Sequence, residues 1–203
     1  MIDSYYTVGE PASAQIKRKR SRFIALVYPV EVEQDVGEIL AQIDRWYHDA
    51  SHRCYAYRLL GETESIVRTN DAGEPAGSAG GPILQQLEAA NLYNVLVVVA
   101  RYFGGKKLGL GGLIRAYAGA TKEVLGVARI VEKHCEVKGE ISFPPELGSA
   151  VMALIHRFSA TVDQVEYNKL GRVLVGVVPS QLSAFVRALR ETSGAKAEWK
   201  EHP

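Results

Sequence analysis

Long hydrophobic runs, paired cysteines and a strong net charge are all missing from this chain. Its 203 residues hold two cysteines, Cys54 and Cys135, far apart and in no CxxC pair. That excludes a disulfide scaffold and fits reduced thiols in a cytoplasmic setting. Zinc is not expected, because His48, His52 and Cys54 lack a second ligand pair and a closed site needs four ligands. No segment approaches the roughly 18 apolar residues that a membrane span needs. The chain opens Met1-Ile2-Asp3-Ser4-Tyr5-Tyr6, without the apolar stretch of a secretion signal. No membrane partner is therefore expected. A net charge of +1 gives no global pull toward nucleic acid, so any such surface must be local. The P-loop GxxxxGK[ST], a dinucleotide GxGxxG in its strand–helix context and the GxSxG elbow are also missing. No cofactor is expected.

What is present is ordinary globular material, 47% hydrophobic and 23% charged, enough for real cores. The pattern splits near Glu132-Lys133-His134 into domains of 1–132 and 135–203. In the first, 13–19 and 22–28 read as a strand hairpin, and 32–47 as an amphipathic helix through Val36, Ile39, Leu40, Ile43 and Trp46. Residues 53–60 and 65–69 read as a strand pair around Gly61-Glu62, 82–90 as a helix, and 92–102 as a strand. The run Val95-Leu96-Val97-Val98-Val99 implies burial of that strand on both faces. A helix follows over 113–127.

The second domain reads as strand 136–143, helix 146–158, strand 161–167, strand 172–178, a helix after Pro179-Ser180 and strand 195–200. Ser180 is the expected N-cap of that last helix, and Gly194 its end. The order βαββαβ is that of a ferredoxin-like plait. The fold class is α+β.

Function is expected between Asn70 and Thr121. Two glycine-dense loops, 70–82 and 101–112, flank a helix and the most apolar strand. Glycine lets backbone approach a ligand closely and adopt positive φ at an entropic cost. The second loop leaves a central strand, carries Arg101, Lys106 and Lys107, and opens a helix whose first turn includes Arg115. Helix N-termini offer unpaired N–H groups and a positive dipole end, which suits phosphate. Arg101, Gly104, Gly105, Lys106, Lys107, Gly109, Gly111, Gly112 and Arg115 are thus the candidate phosphate or nucleic-acid site. His52, Asp71 and Glu74 are expected to line the same cleft. Asp71 and Glu74 could hold Mg²⁺, yet Asp71-Ala72-Gly73 is equally good turn chemistry, and no metal is assigned. Cys54 reads as a small buried hydrophobe rather than a nucleophile. The run Lys17-Arg18-Lys19-Arg20-Ser21-Arg22 could contact nucleic acid or deter strand aggregation.

Three segments together resemble the bacterial YigZ branch of the IMPACT family: His52-Arg53-Cys54-Tyr55-Ala56-Tyr57, Asn70-Asp71-Ala72-Gly73-Glu74-Pro75-Ala76-Gly77 and Arg101-Tyr102-Phe103-Gly104-Gly105-Lys106-Lys107-Leu108-Gly109. The resemblance covers essentially the whole chain. It implies a core with the fold shared by RNase PH and a small-subunit ribosomal protein, and a second domain similar to the plaits of elongation factor G. It implies kinship with eukaryotic translation regulators. The resulting expectation is a translation regulator that binds RNA or a ribosome-associated protein through the basic loop. The alternatives are an enzyme acting on a phosphorylated small molecule or RNA end, and a protein-interaction module. No catalytic residue is assigned.

Overall fold

Seven consecutive buried residues, Val95 to Arg101, run through the middle of the first unit and explain its architecture. A strand buried on both faces needs a layer on each side. The computed structural model describes residues 2–61 and 64–202. They divide into two units, residues 6–133 and residues 2–5 with 134–202. Glu62, of the expected Gly61-Glu62 turn, lies outside the described residues.

The elements of the first unit are β1 (Ser4–Val8), β2 (Ala12–Arg18), β3 (Ser21–Pro29), α1 (Glu33–Trp46), β4 (His52–Leu59), β5 (Ile66–Asn70), α2 (Gly80–Ala89), β6 (Val95–Tyr102), α3 (Leu110–Val127) and β7 (Ile130–His134). β1 and β7 pair with each other, and both cross the boundary between the units. Neither is visible in the sequence pattern, since each is five residues of mixed character. A five-stranded antiparallel sheet runs in the order β2-β3-β6-β4-β5, with β6 at its centre. Side chains alternate across it. Val95, Val97 and Val99 join Phe23, Cys54, Ile83, Leu87 and Tyr117 in a core beneath α2 and α3. Leu96 and Val98 join Leu26, Tyr57, Val36 and Ile43 beneath α1.

Two helices begin earlier than the pattern suggests. α2 starts at Gly80 rather than Pro82, and α3 at Leu110 rather than Leu113. Gly111 and Gly112 are thus first-turn helix residues and not loop, and Arg115 falls in the second turn rather than the first. Where a loop does need glycine is just before, at Gly109, whose φ of +75° is closed to most side chains.

The second unit comprises β8 (Val137–Phe143), a 3₁₀ turn Pro145–Leu147, α4 (Gly148–Arg157), β9 (Thr161–Tyr167), β10 (Gly171–Val177), a 3₁₀ turn Pro179–Gln181, α5 (Leu182–Ser193) and β11 (Glu198–Glu201). Its antiparallel sheet has the order β11-β8-β10-β9, the ferredoxin-like plait. Ile141, Phe143, Val173, Val175 and Val177 pack under Val151, Leu154, Phe185 and Leu189. Ser180 does not cap α5. Its hydroxyl donates to Asp3 Oδ2 at 2.6 Å, and its N–H donates to Oδ1 at 3.0 Å. The two bonds hold the Asp3 carboxyl below its usual range.

Candidate functional site

The two glycine-rich loops meet, but inside the first unit rather than across an open cleft. Arg101 continues the buried face of Val95, Val97 and Val99, so its guanidinium points into the core under α3 and is 5% exposed. An isolated charge there is costly unless it is paired. Arg101 Nη1 donates to Glu74 Oε1 at 2.5 Å, and the Tyr117 hydroxyl donates to the same oxygen at 2.7 Å. His52 Nε2 lies 3.9 Å from it. Glu74 belongs to the 70–82 loop and is itself buried. One buried carboxylate therefore ties the two loops together, and Arg101 is not available to phosphate as the sequence suggested.

Asp71 is engaged too. Its carboxylate accepts the N–H groups of Gly77, Ala79 and Gly80, at 2.8 to 2.9 Å, in front of α2. Burial alone would raise its pKa, but the three backbone bonds outweigh that and lower it from 3.8. It acts as a remote helix cap, not as a ligand on a cleft wall. The sign of its pH effect follows. A depressed carboxylate contributes stability in full above its unfolded value of 3.8, lost as pH falls through the folded value. Asp71→Asn is expected to lower the melting temperature at neutral pH and to flatten the loss of stability below about pH 4. Thermal melts from neutral to acid pH check this.

Cys54 lies on the same face. Its Sγ is 3.0 Å from the Asp71 carbonyl oxygen and 3.3 Å from the Tyr117 phenol oxygen. Burial, the largest influence, pushes the thiol up to about 12, so no thiolate nucleophile forms near neutral pH. His52 Nδ1 is 2.9 Å from the Ala72 carbonyl and so bears the proton of that contact. Among the described residues no three His, Cys, Asp or Glu side chains gather as a metal site.

The exposed part of the second loop faces elsewhere. Gly104 presses against Arg20 so closely that a Cβ would run into the Arg20 backbone. Its N–H donates to Ser21 Oγ at 3.3 Å, and Lys19 Nζ donates to the Lys107 carbonyl at 3.3 Å. The loop is thereby seated beside the β2–β3 turn. This joins the basic run, read separately in the sequence, to the loop lysines. Arg18, Lys19 and Arg115 line an open groove of about 530 Å³ with Leu108, Gly112 and Ala116. Lys106 and Lys107 are exposed on its adjoining loop, as is Gly105. Of Arg18, Lys19, Arg20, Lys106, Lys107 and Arg115, none has a salt-bridge partner among the described residues. Six unpaired cations exceed a net charge of +1, so the rest of the chain is net negative and this face is locally basic.

A family model described as the Impact N-terminal domain matches residues 19–125, more than half of the chain. The chain belongs to the IMPACT family. It is 43% identical over 133 residues to the IMPACT family member YvyE of Bacillus subtilis, covering 66% of this chain and 61% of that protein. It is 32% identical over 125 residues to the IMPACT family member YigZ of Escherichia coli, covering 61% of each. Its match thus spans about three fifths of these relatives' length. A solved structure described as a hypothetical protein superposes with a TM-score of 0.71 at 23% identity, covering 100% of this chain and 99% of that one. That likeness shows the fold. The IMPACT model takes in the basic turn from Lys19, both glycine loops and Arg115. Among the described residues no helix is long and apolar enough to cross a membrane.

Proposed function

We propose that this IMPACT family member is a regulator of translation that binds RNA by its phosphate backbone. The observation that carries the proposal is the groove between the β2–β3 turn and α3, with Arg18, Lys19 and Arg115 in its wall. Lys106 and Lys107 are exposed on the loop that leads into Leu108 of that wall, with no salt-bridge partner among the described residues. Phosphate is the ligand that suits exposed cations gathered along the first two turns of a long helix, whose positive dipole end lies at Leu110. The translational role rests on family membership and on the eukaryotic regulators that the resemblance implies.

Catalysis by Asp71 or Glu74 has no support in the geometry. The Asp71 carboxylate is occupied by three N–H groups, and Glu74 is buried against Arg101 and Tyr117. A general base must reach a substrate proton; Glu74 is buried, and Asp71 is held in place by its backbone bonds. The test of RNA binding is a filter assay with mixed-sequence RNA from low to physiological salt. The expected result is binding whose logarithm falls linearly with the logarithm of salt, with a slope of about −3.5 for five cations on a single strand. No retention at low salt would end the proposal.

A further inference from the structure

We infer that the RNA held on this face is single-stranded, with one base stacked on Phe103; the inference rests on the RNA reading above. The cations do not require it, since phosphates of any RNA would satisfy them. The exposed apolar side chains on the same loop and helix do. Phe103 is 49% exposed, Leu110 56% and Ile114 37%. Leu110 and Ile114 are one turn apart and share a face of α3, next to Arg115. Phe103 opens the loop that carries Lys106 and Lys107.

The Phe103 platform is held in place. Its N–H donates to Ser51 Oγ at 3.2 Å, and the next residue, Gly104, is bonded to Ser21 and packed on Arg20. The Arg101 guanidinium sits 5.5 Å from the ring centroid, a cation–π distance. Arg101 is in turn fixed by Glu74. An exposed aromatic on a backbone pinned at two successive residues loses little freedom when a ligand stacks on it. A duplex offers this surface phosphates, sugars and shallow groove edges, and keeps its base faces stacked inside. A single strand offers base faces to the ring and phosphates to the cations at once. The buried Glu74–Arg101 pair then acquires a purpose as the support of that ring.

The probes are an adenine strand of about twelve nucleotides, its duplex, and an abasic strand of the same length. Wild type should bind the adenine strand about tenfold tighter than either of the others. Phe103→Ala should abolish the preference over the abasic strand while leaving the abasic affinity and its salt slope unchanged. Phe103→Trp should keep the preference, which a merely structural role for the side chain does not predict. An unchanged preference in Phe103→Ala, or a duplex bound as tightly as the adenine strand, overturns single-strand stacking while leaving phosphate binding intact. Failure of all three probes to bind at low salt overturns both readings.

Discussion

Glu74→Ala is expected to cost the first unit about 3–5 kcal/mol of stability, the largest effect of any single substitution in the candidate site. The Arg101 guanidinium is 5% exposed and reaches no other carboxylate among the described residues. Its remaining hydrogen-bond partner is Ser21 Oγ at 3.5 Å, the edge of hydrogen bonding, and Nε has none among the described residues. Without Glu74 the cation is buried and uncompensated. Tyr117 also loses the acceptor of its hydroxyl, and that phenol stays protonated because burial pushes its pKa far up. Glu74→Gln keeps the shape and one acceptor but not the charge, so its loss should be smaller. The paired replacement Arg101→Met with Glu74→Leu removes both charges and should recover most of the stability. Two units need a local probe. Urea unfolding read by hydrogen exchange at β6 amides reports the first unit alone. A Glu74→Ala loss below about 1 kcal/mol would mean that water reaches the guanidinium.

Arg101 also shows how far the sequence could be read. Val95, Val97 and Val99 alternate onto one buried face, and position 101 continues it. Period two therefore places the guanidinium on the face of Val95, Val97 and Val99, and a buried cation demands a partner. Chain proximity to Lys106 and Lys107 counts for less at Arg101 than its parity on β6. Its partner was not legible, because Glu74 is 27 residues away on an irregular loop. The same holds for Asp71, whose three bonds depend on how the loop returns to α2. The plait of the second unit was legible because its alternation and helical spacing are regular and its turns carry Pro and Gly. β1 and β7 were not, since pairing between strands so far apart leaves no local signal. Gly80, Gly111 and Gly112 read as loop because glycine disfavours helix interiors, yet a first turn tolerates it. At Gly80 a side chain would meet the Asn70 backbone nitrogen at 2.8 Å.

The quadruple variant Lys19→Ala/Lys106→Ala/Lys107→Ala/Arg115→Ala should lower RNA affinity by about two to three orders of magnitude at 0.1 M salt. All four side chains are exposed. None has a salt-bridge partner among the described residues, and Lys19 loses one long hydrogen bond to the Lys107 carbonyl. Such substitutions shift stability by about 0.5 kcal/mol or less each, so the fold should persist. Each phosphate neutralised on a single strand contributes a slope of about −0.7, so four lost contacts should flatten the salt dependence by about 3. Affinity and slope must fall together, because both measure the same released counterions. The Arg101→Met/Glu74→Leu pair supplies the opposite control. If Arg101 were a phosphate ligand, that variant would lose about 0.7 of the slope. With the guanidinium committed to Glu74, its slope should match wild type. An unchanged slope in a folded quadruple variant would move RNA contact away from the α3 groove altogether.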